Sequence, residues 1–414
     1  MAVFSKDAAV FPLPVFHKVQ QIIPDEKLED IPGAIAAEMG KEEVRSRLTA
    51  GKTAAVLVGS RGIDNLPVIV KSVIEQLKKY GILPFIVPAM GSHGGGVAEN
   101  QRAIIEGYGI TEAAMGVPIR ASMDTIRIAT SETGIPVYAD KNACSADYII
   151  PINRIKVHTD FKGPIESGLC KMLVIGLGKH TGCTRVHQEG FKNFPRVIPE
   201  VAKAVLAAVQ VPFGLGIIEN GLDHTHSVVA IPGDQILQRE PEYLALSKQL
   251  LPRLHFDELD VLVVDQIGKN ISGSGMDPNI TGRVAGRDAG PWEFNAPKVA
   301  RIVTNRIAPE SHGNAVGMGC ADFTTQALLQ SIDFEVTFAN QIASCVPENA
   351  FTPVALPTEA DALRAAIVTS RCPDWSKARV VRIQDTLHLA DIEVSESLLD
   401  YCRNNEHFIV PTYE

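Results

Sequence analysis

Short apolar, β-branched runs alternate along most of the chain with segments whose apolar positions recur at helical spacing. Thr53–Val58 predicts a strand, Leu66–Tyr80 an amphipathic helix, Pro84–Pro88 a strand and Val97–Gly107 a helix. From about Met115 to Pro151 the runs shorten and are β-rich, at Ile126–Ala129, Ile135–Tyr138 and Tyr148–Pro151. Leu173–Leu177 predicts a further core strand, Pro195–Val209 a helix, and Gly214–Glu219 and Ser227–Ile231 strands. Strands alternating with helices through short glycine-rich connections predict a parallel sheet covered by helices.

A boundary is expected near Leu251–Asp257, after which Leu259–Asp265 opens a second α/β set. That set continues through Arg301–Thr304, a helix at Phe323–Ile332, Glu359–Ser370 and Val380–Ile383. The expected layout is an α/β protein of two domains with the active cleft between them. Residues 1–255 form a parallel-sheet-rich N-terminal domain and 256–400 a smaller α/β domain that closes over substrate. A tail, 401–414, packs back on the N-terminal domain. At 414 residues the chain is too long for one average domain.

Composition narrows the class. Hydrophobic residues at 45% and charged residues at 21% describe an ordinary globular chain. A formal charge of −9 argues against nucleic acid or a membrane surface as partner, yet a few basic groups in one cleft still bind a small anion. The seven cysteines are odd in number and scattered, which fits reduced thiols and not a disulfide framework. Met1–Lys18 does not read as a signal peptide, and no apolar run approaches the ~20 residues of a membrane helix. A cytoplasmic protein is expected. Its oligomeric state is open, a homodimer being one form.

Five stretches carry candidate chemistry. Gly59-Ser60-Arg61-Gly62 follows the first strand and offers backbone N–H groups, a hydroxyl and a guanidinium to a phosphate or carboxylate, or else is a turn with a solvated arginine. Gly91-Ser92-His93-Gly94-Gly95-Gly96 lies between a strand and a helix. Its glycines allow close approach of a ligand, and His93 could exchange protons near neutral pH. It is neither a Walker A sequence nor a G-x-G-x-x-G fingerprint. Asn153–His187 gathers His158, Lys171 and His187, a proton acceptor, an amine nucleophile and a metal ligand, beside an apolar run. Taken singly, each also reads as a snorkelling lysine or a capping histidine. His224-Thr225-His226 could bind zinc but has no third ligand nearby. Gly273–Arg283 is a polar glycine-rich loop in which Arg283 could clamp a carboxylate and Asn279 could contact substrate, or an ordinary surface loop.

In order and spacing these motifs resemble the nickel-pincer-nucleotide enzymes typified by lactate racemase, over most of the chain. The resemblance places Arg61, His93, His158, Lys171 and His187 on that family's arginine, its two catalytic histidines, its cofactor-bearing lysine and its nickel-binding histidine. It implies a Ni(II) pyridinium-3,5-bisthiocarboxylic acid mononucleotide attached covalently to Lys171, absent from protein made without the cofactor pathway. The loops with Ser60, Arg61, Gly91, Ser92 and Gly94 would cradle its phosphate. Two positions depart from the pattern. The aspartate three residues before the arginine is here Val58, and the racemases' tyrosine, glutamine and lysine after Asp-x-Asn are here Thr281, Gly282 and Arg283.

The activity implied is racemisation or epimerisation of a 2-hydroxyacid other than lactate, by reversible hydride transfer with His93 and His158 moving the hydroxyl proton. Three alternatives stay open. They are a C2 epimerase of a longer sugar acid, an ordinary NAD-dependent or cofactor-free oxidoreductase, and a non-catalytic protein that binds an anion or carries the cofactor.

Overall fold

A computed structural model describes residues 4–60, 62–286, 290 and 293–411. The chain divides into two compact units, residues 25–251 and residues 1–24 with 252–414. Strands are numbered in chain order: β1 (Phe16–Gln21), β2 (Thr53–Val58), β3 (Leu83–Pro88), β4 (Thr125–Thr130), β5 (Pro136–Asp140), β6 (Tyr148–Arg154), β7 (Phe213–Glu219) and β8 (Thr225–Pro232). They continue with β9 (Glu258–Ile267), β10 (Lys298–Ile307), β11 (Phe323–Thr325), β12 (Val354–Leu356), β13 (Val380–Ile383), β14 (Asp391–Ser395) and β15 (Phe408–Ile409).

The 25–251 unit is built on a five-stranded sheet in the order β3-β2-β6-β7-β8. The first four strands run parallel and β8 returns antiparallel to β7. Burial explains the residue choice: Ala54 to Val58 are inaccessible to solvent, as are Ile86 and Val87 of β3 and Leu215 and Ile217 of β7. Strands covered on both sides read as continuous apolar runs and not as alternation. The Leu66–Lys79 helix supplies one cover, turning Ile69, Val70, Val73, Ile74 and Leu77 inward. β4 and β5 form a separate two-stranded ladder.

The other unit holds an eight-stranded sheet, β12-β11-β10-β9-β13-β14-β1-β15. It is parallel from β12 to β13 and antiparallel from there on. β1 explains why residues 1–24 belong with this unit and not with the residues that follow them. It is hydrogen-bonded between β14 and β15, so the C-terminal tail pairs with the chain's first strand.

Two expected elements change. Leu173–Leu177 is not a strand: Leu169–Lys171 is an α-helical turn, Met172–Gly176 a π-helical segment, and Lys179–His187 an α-helix. Cys170, Leu173, Val174 and Leu177 are all buried, and an apolar run buried all round carries no period to separate helix from strand. Phe323–Ile332 is not one helix. Phe323–Thr325 is a strand, and the Thr325 hydroxyl then accepts from the Leu328 amide (3.0 Å) to start the Gln326–Gln330 helix.

Candidate active site

The three loops leaving the carboxyl ends of β2, β3 and β6 converge on the helical stretch 169–187. In an open parallel sheet this edge is where ligands sit. Gly59 follows β2, and a Cβ there would stand 3.3 Å from the Met172 methyl. The β3 loop is held by Gly91, whose amide donates to the Gly176 carbonyl (3.2 Å). Gly176 in turn approaches so closely that a Cβ would lie 2.6 Å from the Ala89 carbonyl oxygen, which is why no larger residue fits there. The β6 loop is tied by Asn153, whose amide donates to the Gly168 carbonyl (2.8 Å).

Ser60 and His93 meet directly, Oγ against Nδ1. His158 is nearly buried and its Nε2 abuts the Lys171 amine. The Asp160 amide donates to His158 Nδ1 (3.0 Å), so in the neutral ring the proton resides on Nε2. Buried Glu166 shapes the loop, accepting from the His158 amide (2.7 Å) and pairing with Lys248 (2.8 Å).

Lys171 ends the first helical turn, immediately before the π-helical segment, an irregularity often found at functional sites. The turn is capped by Glu240, whose Oε2 accepts from the Cys170 amide (2.9 Å). Burial pushes the Glu240 carboxyl up to about 7. One helical stretch later, His187 Nδ1 donates to the Cys183 carbonyl (2.8 Å), which leaves Nε2 with the lone pair that a metal requires. Burial would lower the His187 pKa, but contact with Cys183 outweighs it and raises it, while the same contact lowers the Cys183 thiol against its own burial. Phe191 packs against both His158 and His187, with ring centroids 6.0 and 5.7 Å apart, so the two imidazoles share one aromatic wall.

Ser60, Gly91, Ser92, His93, Gly94, His158, Lys171 and His187 therefore belong to one edge of one unit. Arg61 lies outside the described residues. Val58, at the family's aspartate position, is fully buried in β2. Asn279 and Arg283 lie in the other unit, and both are engaged internally. Asn279 donates through its amide and side chain to Asp277 Oδ1 (2.8 and 2.7 Å). Arg283 pairs with Asp322 and donates to the Cys320, Val299 and Ala300 carbonyls (3.2, 3.3 and 3.3 Å). Its charge is matched within its own unit. His224 is held by Asp25 (2.6 Å) and His226 Nδ1 contacts the Ser227 hydroxyl (3.2 Å). Sequence reading passed over Glu240, Glu166, Gln101 and Lys179, since only burial separates them from surface charges and amides.

One edge of a parallel sheet in an α/β unit thus brings together two histidines, a lysine amine and a third histidine whose Nε2 keeps its lone pair. Residues 14–241 match the family described as lactate racemase N-terminal domain, and the chain belongs to that family. Among solved structures it is similar to the lactate racemase apoprotein from Thermoanaerobacterium thermosaccharolyticum. The identity is 14% and the TM-score 0.53, covering 91% of this chain and 99% of that one, which establishes a shared fold. No curated protein matches the sequence. No described helix is long and apolar enough to cross a membrane.

Proposed function

We propose that this chain racemises or epimerises a 2-hydroxyacid, with a nickel-pincer nucleotide carried on Lys171. Family membership supports an isomerase of a hydroxyacid at a coarse level. The observation that carries the finer reading is the convergence of His93, His158, Lys171 and His187 on the 169–187 helical stretch.

The residues fit the cofactor. Lys171 Nζ lies against His158 Nε2, and His187 has its Nδ1 engaged with Nε2 left for ligation. Among the described residues no group of three or more His, Cys, Asp or Glu could hold a metal unaided. A nickel ion here would need donors from the nucleotide as well as His187. When bound, the group supplies a site that accepts and returns a hydride.

The protein's own residues handle the proton. With Nδ1 protonated and donated to Ser60 Oγ, His93 carries its lone pair on Nε2 and acts as base toward the substrate hydroxyl. His158, as imidazolium with Nδ1 3.7 Å from the Asp160 carboxylate, acts as the acid that returns it. In the reverse direction the histidines exchange roles, as inversion at one carbon requires. The phosphate is assigned to the Ser60–Arg61 and Gly91–Gly94 loops, and Arg283 and Asn279 are proposed as substrate contacts.

Intact-mass measurement of protein made alongside the cofactor's biosynthetic enzymes tests the assignment. Wild type is expected to carry an adduct that Lys171→Ala lacks; the same adduct on both would overturn it. Substrate deuterated at C2 should keep its label in both stereoisomers, whereas washout into water would show a two-base proton mechanism instead.

A further inference from the structure

Behind the His93 loop lies a group of polar side chains, wholly inaccessible to solvent, that the reaction above does not use: Gln101, Asp140 and Lys179. The Gln101 side-chain amide donates twice, to the carbonyls of Gly91 (2.9 Å) and His93 (3.0 Å), the two residues that bracket Ser92. Its oxygen accepts from Lys179 Nζ (3.0 Å), which fixes which way round the amide lies. Lys179 also donates to the Pro88 carbonyl at the end of β3 and pairs with Asp140 at 3.3 Å. It opens the Lys179–His187 helix with φ of +52°, a left-handed conformation unusual for a lysine. Burial lowers the Lys179 pKa and raises that of Asp140, so the pair is retained at the expense of both ionised forms.

We propose that Gln101, oriented by the Lys179–Asp140 pair, is the positioning residue for His93, coupling the loop that bears it to the helix that bears His187. The loop also meets that helical stretch through the long Gly91–Gly176 bond (3.2 Å) and through Ser92 against the Cys183 thiol (3.7 Å). The role of His93 rests on the function proposed above. The test is therefore run on protein without cofactor or substrate, where failure of one does not imply failure of the other.

Gln101→Glu keeps the acceptor for Lys179 and removes both donors. The expected result is amide exchange at residues 91–96 about thirtyfold faster, the worth of two ordinary hydrogen bonds. Displaced His93 ring signals in NMR should accompany it, with the rest of the unit unchanged. Should that variant not fold, Gln101→Met removes the same donors with similar volume. The double variant Lys179→Met/Asp140→Leu, which leaves no unpaired charge, is expected to loosen the same loop. Unaltered His93 signals and loop exchange in a folded Gln101 variant would overturn the proposal. So would faster exchange spread evenly over the unit, and so would a loop that stays in place in the double variant.

Discussion

Replacing Glu240 by glutamine tests whether the turn that carries Lys171 is capped by a protonated carboxyl. Glu240 is wholly buried on the Ile236–Leu250 helix, its Oε2 accepts from the Cys170 amide (2.9 Å), and its Oε1 has no hydrogen-bond partner among the described residues. Gly168 leaves room for that oxygen, since a Cβ there would lie 1.9 Å from it. Burial raises the carboxyl from 4.5 to about 7, with the Cys170 and Leu169 amides opposing the rise. The folded state thus holds its proton more tightly than the unfolded chain does. This group's contribution to stability is fully present below about pH 4.5 and is lost as pH rises to about 7. The full loss is about 3 kcal/mol, at ~1.4 kcal/mol per pKa unit. Glutamine keeps the shape and one acceptor but does not titrate. Denaturant unfolding from pH 4 to 8 should show the variant gaining on wild type by up to about 3 kcal/mol as pH rises, then running parallel above pH 7. Parallel curves throughout, or a variant that loses ground as pH rises, would refute the reasoning.

His93→Ala and His158→Ala are each expected to abolish turnover of the loaded enzyme while nickel, measured by metal analysis, stays bound; loss of nickel from either would move that residue to a ligating role. Arg283→Ala should cost about 1–3 kcal/mol of stability, because Asp322 loses its partner and three carbonyls lose a donor. A raised KM at unchanged stability would instead give Arg283 a role at the substrate alone. His187→Gln is expected to lose nickel while the organic adduct remains on Lys171, read by metal analysis and intact mass on one sample. Simultaneous loss of both would show that the tether depends on the metal.

Much of the site was legible before the fold was known. Thr53–Val58, Pro84–Pro88 and Tyr148–Pro151 announced themselves as buried parallel strands, and the motifs that follow them, with Ser60, His93 and His158, stand at their carboxyl ends. That follows from local chemistry: β-branched runs make strands, glycines make the turns after them, and a parallel sheet puts those turns on one edge. The run after Lys171 was misread because burial on every side erases the period that separates helix from strand. Arg283 presented the charge of a clamp, but nothing in its neighbours in sequence foretells Asp322, thirty-nine positions on.

The strands of the first sheet and the family were thus determined by the sequence itself, since each depends on residue type and short-range spacing. Tertiary structure alone decided which polar groups are buried and what they face. Glu240 under the Lys171 turn, Gln101 against Lys179 and the Lys179–Asp140 pair are joined by contacts 70, 78 and 39 residues apart, across elements that only packing brings together. A charge or an amide acquires its role from its solvent and its partner, and both are properties of the folded chain.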